Sequence, residues 1–397
     1  MRRWAGLTAL AIICVSCGPG PRPSSSQAVL ATSTNPPAAS ATTSPAISTP
    51  TPQALVAHQI PQSFTTPLLD VTTDGSQVFW SRGTPGSTVG APYLYEYTPG
   101  EPSPSLVYSD SDKTATISPI AVSGNGYAFV EEFSRGGSDI GWRLFYLPHS
   151  AQRPIQVETS ETDPASFNGL IPQITLTKHY LVWTAVHDVD GSGQFYLRAY
   201  SIDTGKVTTL QSSPASRAEY WFPSADDLNR LVFSTVEHSA TGSATVYHVY
   251  FLPDIGSPGS QPARLDTDGF ATNPVMSGDT VVWKKVVDNV TNWGNALVSY
   301  SLSSRQARQE ALPDQPNVDT PSIGNRYVAV WGMDPTKFEL LDCATGGPLL
   351  LDKSAASSPL LYVRPVIAGD LVVFSVANYD DQTLPLQLSW MYLPGRQ

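Results

Sequence analysis

A chain of 397 residues, 41% hydrophobic and only 14% charged, carries enough apolar material for a sizeable core, and its 35 Pro and 29 Gly favour many short strands and turns over long helices. The formal net charge of −11 repels phosphate backbones and anionic headgroups, which argues against nucleic acid as a partner. Three cysteines, two of them near the N-terminus, exclude a disulfide framework.

The first element is an export signal. Arg2 and Arg3 precede an apolar run from Trp4 to Val15, and these 12 residues are too few to span a bilayer. Ser16-Cys17-Gly18, which closes the run, resembles the lipobox of bacterial lipoproteins, with Cys14 where that family usually has Leu. The resemblance implies a signal peptide over 1–16, a Cys17 that is acylated and becomes the mature N-terminus, and an extracytoplasmic protein lipid-anchored to the bacterial cell membrane. Each buried CH₂ of an acyl chain is worth about 0.8 kcal/mol, and two chains hold where one does not. Cleavage removes Arg2 and Arg3 from the 23 basic residues, leaving 21 against 34 acidic ones, a net −13. Membrane contact is expected through this anchor alone.

Residues 17–53 follow as a tether. Beyond Cys17 they are Ser, Thr, Pro and Ala almost throughout, with Arg22 the only charged residue. Such a stretch has too few large apolar groups to offset its ordering entropy, and its prolines favour a semi-extended chain.

Residues 54–397 are built on a repeat. A unit of Pro, a short apolar strand, a polar turn and a β-rich run ending in an aromatic recurs seven times. The prolines are Pro67, Pro119, Pro172, Pro223, Pro274, Pro321 and Pro365; the aromatics are Trp80, Phe129, Trp183, Phe233, Trp283, Trp331 and Phe374. Steps of 49, 54, 50, 50, 48 and 43 residues between the aromatics suit a four-stranded propeller blade. Near-continuous apolar runs such as Tyr180–Trp183 and Leu371–Phe374 mark strands buried on both faces, as stacked blades require. Tyr146, Tyr200, Tyr250 and Tyr300 keep step in the third strands. The expected fold is therefore all-β, a seven-bladed β-propeller of four-stranded antiparallel blades. The seventh unit stops after three strands, and the apolar run Ala54–Ile60 is expected to complete it from the N-terminus, removing an open edge.

In the fifth unit, Pro274-Val-Met-Ser-Gly-Asp-Thr-Val-Val-Trp283 is followed by Leu297-Val-Ser-Tyr-Ser-Leu302. This pattern resembles the TolB-like β-propeller repeat proteins of bacterial surfaces. The resemblance implies a propeller in a cell-envelope setting and carries over no catalytic residue.

Chemistry-bearing groups concentrate between second and third strands, on the face where function usually sits in such a scaffold. They are Glu131, Glu132 and Arg135; His187, Asp188 and Asp190; Glu237 and His238; Asp288, Asn292 and Trp293; and Asp380 with Asp381. Asp188-Val-Asp190-Gly191-Ser-Gly193 resembles the start of a calcium loop, but Ala199 stands where the twelfth-position acid belongs, and an Asp-Gly hairpin turn accounts for the run better. Glu131 or Glu132 could join acids of neighbouring blades as an acid–base pair on a glycan, with Trp142 and Trp293 as aromatic contacts. As neighbours on a strand the two glutamates point to opposite faces, and solvated rim charge is the plainer reading of both. The six histidines have no metal-ligand spacing, and no Gly-x-Ser-x-Gly elbow is present. Cys343, in a strand-like run, reads as a small buried hydrophobe. No catalytic residue, metal or cofactor is therefore assigned. The expected function is a monomeric binding or scaffold module for a protein or glycan of the envelope, with an enzyme acting on polysaccharide as the alternative.

Overall fold

The computed structural model describes residues 57–61, 68–82, 93–110, 115–136, 139–160, 170–189, 192–239, 245–257, 259–286, 296–311, 320–331, 338–344, 348–350, 360–378 and 387–393. Among the described residues the regular structure is strand alone, in seven four-stranded antiparallel sheets. The first strand is β1 (His58–Gln59). Blade 1 is β2 (Leu68–Thr73), β3 (Val78–Arg82), β4 (Tyr93–Tyr97) and β5 (Ser105–Ser109). Blade 2 is β6 (Thr116–Ser123), β7 (Gly126–Gly136), β8 (Asp139–Pro148) and β9 (Ile155–Thr159). Blade 3 is β10 (Ile174–Leu176), β11 (Tyr180–Val189), β12 (Ser192–Ser201) and β13 (Lys206–Pro214). Blade 4 is β14 (Ala218–Ala225), β15 (Leu231–His238), β16 (Thr245–Leu252) and β17 (Ala263–Arg264). Blade 5 is β18 (Ala271–Ser277), β19 (Thr280–Lys285), β20 (Ala296–Ser301) and β21 (Gln306–Ala311). Blade 6 is β22 (Ser322–Ile323), β23 (Tyr327–Trp331), β24 (Phe338–Asp342) and β25 (Pro348–Leu350). Blade 7 is β26 (Leu360–Ala368), β27 (Leu371–Asn378) and β28 (Gln387–Tyr392), with β1 as its outermost strand.

The seven-bladed propeller is thus the fold, and the first and last segments of the ring meet as expected. His58 pairs with Trp390 and Gln59 with Ser389, and Ile60 N–H donates to Leu388 O at 2.9 Å. First strands of successive blades lie against one another all the way round, from β2 through β26 and back to β2, so they line the axis.

The core is divided among the interfaces. Seven apolar clusters of buried residues each join residues of two adjacent blades, one cluster per interface. This follows from the period of two. On β11, Val182 faces blade 4 while Leu181 and Trp183 face blade 2, so both sides of the strand must be apolar. The repeated aromatic stands on the second strand of every blade. Trp80, Phe129, Trp183, Phe233, Trp283 and Phe374 are all buried.

The repeated proline has a different place from the one its sequence suggests. Pro119, Pro223, Pro274 and Pro365 do not precede the first strand; they sit inside it, where the ladder to the second strand shifts register. A proline has no N–H to give a ladder and is tolerated in a sheet at bulges. The bulge turns neighbouring N–H groups away from their own sheet, and a polar side chain of the preceding blade takes them. Ile120 N–H donates to Asp70 Oδ2 (2.7 Å), Phe222 N–H to Gln173 Oε1 (2.5 Å), Met276 N–H to Ser224 Oγ (3.1 Å) and Ile367 N–H to Ser322 Oγ (3.0 Å). These bonds tie blade to blade around the axis and satisfy donors that burial would otherwise penalise.

Candidate functional site

On one face of the ring the turns between first and second strands are linked across blades. Asn125 Nδ2 donates to Lys178 O (2.8 Å), Lys178 N–H to Asp227 Oδ1 (2.9 Å), Arg230 Nη2 to Gly278 O (2.6 Å) and Asn325 N–H to Gly369 O (2.9 Å). Beside the last bond, a Cβ on Gly324 would lie 2.3 Å from Gly369 O, so only glycine permits the approach.

On the opposite face the second and third strands of blades 2, 3 and 4 run on for 8 to 11 residues each. This corrects the expectation of loops. Glu131, Glu132, His187, Glu237 and His238 stand on paired strands, because the ladders continue well past the core aromatic. In blade 3, Asp188 pairs with Gly193 and Val189 with Ser192, which makes the run a hairpin with two connecting residues. Exposed apolar side chains stand near the hairpin ends, Ile140 (39% exposed) in blade 2 and Val246 (36%) in blade 4.

Two glutamates that read as solvated rim charge are not. Glu131 is 1% exposed, accepts a hydrogen bond from Tyr108 Oη of blade 1 (2.8 Å), and has Arg143 Nη1 at 3.8 Å. Burial pushes its carboxyl up to about 7, against the opposing pull of the Tyr108 hydrogen bond. Glu132 faces the other way, opposite Trp142 of β8, and burial alone pushes it up to about 7 as well. Trp142 is itself 3% exposed and belongs to the core between blades 2 and 3, so it is no aromatic contact for a ligand.

The raised Glu132 predicts a pH effect of definite sign. Its folded-state value lies above the ordinary 4.5, so the native state holds a proton that the unfolded chain releases. The stability it contributes is full below about 4.5 and is lost as pH rises through about 7. Glu132→Gln should therefore unfold like the wild type near pH 4 and be more stable near pH 8, by on the order of 3 kcal/mol at about 1.36 kcal/mol per pKa unit. Denaturant titration of both proteins at the two pH values checks this; a gap that does not widen with pH would contradict it.

His187 meets a group that sequence reasoning missed. Its Nε2 lies 2.9 Å from Glu158 Oε1, on the outermost strand of blade 2. The same carboxylate accepts from Trp183 Nε1 and Arg198 Nη1 of blade 3. Glu158 is thereby held by three groups between two blades and is structural in role. The one sequence signal is an isolated acid in the β-rich run Ile155–Thr159, which names no partner.

Glu237 and His238 point to opposite sides of β15. Glu237 accepts from Tyr250 Oη (3.0 Å) and Thr235 Oγ1 (3.1 Å). Burial first, then the nearby Glu237 charge, pushes the Tyr250 phenol up to about 12. His238 Nε2 lies 3.2 Å from Glu219 Oε1, and Glu219 Oε2 accepts from Trp221 Nε1 at 2.8 Å. Glu219 and Trp221, on the innermost strand of blade 4, were not among the expected site residues. They stand two apart just before the repeated proline, a spacing that places both on one face of a strand.

Cys17, Asp190, Asp288, Asn292, Trp293, Asp380 and Asp381 lie outside the described residues, as do the side chains of Arg135 and Asp188. Among the described residues no three His, Cys, Asp or Glu side chains group as a metal site. Cys343 is half-buried, and burial pushes its thiol up to about 11.

No protein-family model and no curated protein sequence matches the chain. Solved structures do. The β-propeller domain of the Trilobed protease from Pyrococcus furiosus, described as having an open velcro topology, superposes with a TM-score of 0.57 at 9% identity over 83% of this chain and 94% of that one. Prolyl oligopeptidase B from Galerina marginata gives 0.57 at 13% identity over 85% of this chain, and the acylaminoacyl peptidase of Pyrococcus horikoshii gives 0.55 at 11% over 84%. This chain spans 51% and 53% of those two proteins. What it shares with all three is the fold: a seven-bladed β-propeller similar to the propeller domains of peptidases.

Proposed function

We propose that the chain is a cell-envelope lipoprotein, held by an acylated Cys17, whose propeller is a binding module engaged on the face carrying the extended hairpins of blades 2, 3 and 4. The extended hairpins carry this reading. In blades 2, 3 and 4 the paired strands run on past their core aromatics, with exposed Ile140 and Val246 near their ends. The lipobox resemblance of Ser16-Cys17-Gly18 and the TolB-like resemblance of the repeat both suit an envelope setting. The alternative, an enzyme on polysaccharide, loses one of its candidate acids, since Glu131 is 1% exposed beneath Tyr108.

The test uses full-length protein and solubilised envelope from the same cells. Ile140→Asp combined with Val246→Asp should weaken envelope binding at least about tenfold, as expected for apolar residues central to an interface. Leu228→Asp, at a 69% exposed position on the turn face, should leave it unchanged. Equal binding by all three proteins would reject the assigned face. Anchoring has its own test: Cys17→Ser should move the protein out of the membrane fraction, and an unchanged distribution would reject the lipid anchor.

A further inference from the structure

We infer that the innermost strand of blade 4 carries a saccharide-binding site, with Trp221 as the surface on which a sugar ring stacks. The inference rests on the reading of the extended-hairpin face as a binding surface, and it names the class of ligand.

Arg217 is the residue before β14, and Arg217, Glu219 and Trp221 follow at every second position. Glu219 and Trp221 share a face by strand geometry, and His238 joins them from β15, where its N–H donates to Arg217 O at 3.0 Å. This end of β14 lies toward the hairpin face: Ala218 pairs with Glu237, next to the end of β15. Trp221 is only half-buried, although Trp80, Trp183 and Trp283 of the blade cores are buried. Its ring is nonetheless fixed. Nε1 donates to Glu219 Oε2 (2.8 Å), and Glu219 Oε1 is held by His238 Nε2 (3.2 Å). Phe195 of blade 3 supports it, with ring centroids 5.8 Å apart, and the Phe222 ring lies 6.4 Å away. Phe222 has φ +52°, an uncommon conformation for an aromatic residue, at the point where β14 bulges. Bulges re-aim side chains.

This arrangement matches the chemistry of a sugar. An indole whose N–H is already satisfied presents a flat, electron-rich face, complementary to the weakly positive C–H groups on one side of a pyranose ring. The Glu219 carboxylate has about four lone-pair sites, of which the two bonds above use two, so it can still accept from ring hydroxyls. Glu219 and His238 side chains are 26% and 29% exposed, within reach of a ligand. Arg217, two residues before Glu219 in the chain, is exposed and, among the described residues, without a side-chain partner, so its guanidinium donors are free. A fixed aromatic face flanked by donor and acceptor is what a ring carrying alternating hydroxyls needs.

Other ligand classes fit less well. A cation would meet Arg217 next to the only carboxylate of the cluster. An extended peptide adding to β14 would need its free backbone N–H groups, but Phe222 N–H is bonded to Gln173 Oε1 and Ala225 N–H to Thr175 Oγ1 (3.3 Å).

The test is calorimetric titration of the full-length protein with soluble cello-, malto-, xylo-, manno- and chito-oligosaccharides. At least one series should bind. Trp221→Ala should weaken that binding at least about tenfold, the loss typical of an aromatic anchor. Trp221→Phe should retain most of it. Arg217→Ala, at an exposed position, should weaken it severalfold with an unchanged melting temperature, so the test stands even where Trp221→Ala folds poorly. Absence of binding in every series, or equal affinity in the wild type, Trp221→Ala and Arg217→Ala, would overturn the inference. The two failures are separable. If no saccharide binds but Ile140→Asp with Val246→Asp still abolishes envelope binding, the face is right and its partner is a protein. If those substitutions have no effect either, the assigned face falls as well.

Discussion

Trp183→Ala is expected to lower the unfolding free energy by about 3–5 kcal/mol, the usual loss when a buried aromatic is truncated. Trp183 is completely buried between blades 2 and 3, among Leu144, Tyr146 and Leu181. Its removal leaves a cavity that neither blade can fill alone, since each is tied to its other neighbour by a second apolar cluster. The substitution also takes one of three donors from Glu158, leaving His187 Nε2 and Arg198 Nη1 to hold a half-buried carboxylate. Trp183→Phe separates the two effects, because it keeps most of the volume and loses the N–H. Trp283→Ala, at 3% exposure between blades 4 and 5, should be nearly as damaging. Guanidinium titration of the three variants measures the losses. A midpoint unmoved by Trp183→Ala would contradict the placement of this residue between blades.

The ring closure is open to an equally direct test. A chain that begins at residue 53 should be as stable as the full-length protein. A chain that begins at residue 61 should lose at least about 3 kcal/mol and aggregate. The second truncation removes Ile60, which is 3% exposed in the cluster between blades 7 and 1. It also removes the ladder to β28 and the stack of His58 on Trp390, with ring centroids 4.5 Å apart. Three terms fall together: a buried aliphatic side chain, a backbone ladder and an aromatic contact. In addition, β28 becomes an unprotected edge with Leu388 and Trp390 on it. Thermal melting and light scattering of the two truncated chains decide the matter. Equal melting temperatures would mean that β1 is dispensable to closure.

The repeat was legible because its signals are local. A strand buried on both faces must be apolar throughout, and a tight turn must follow, so each unit writes its second strand and turn into a few consecutive residues. Even the missing fourth strand of blade 7 could be inferred, because an unpaired apolar run at one end of the chain matched a short blade at the other. The proline was legible as a repeat marker but not as a bulge. Its effect depends on whether the N–H groups around it find Asp70, Gln173, Ser224 or Ser322 one blade earlier, about 50 residues away along the chain.

Site chemistry divides along the same line. Sequence alone marked Glu131, Glu132, His187, Glu237 and His238 as worth attention, since acids and histidines concentrate between the second and third strands. It could not tell Glu131, sealed under Tyr108, from a solvated rim carboxylate, nor pair His187 with Glu158 and His238 with Glu219. Residue type and strand period are properties of a short stretch, and they determined the blades, their number and the closing strand. Burial and hydrogen-bond partners arise where two strands or two blades meet, so only the tertiary structure decided which carboxylates are structural and which face the solvent beside Trp221.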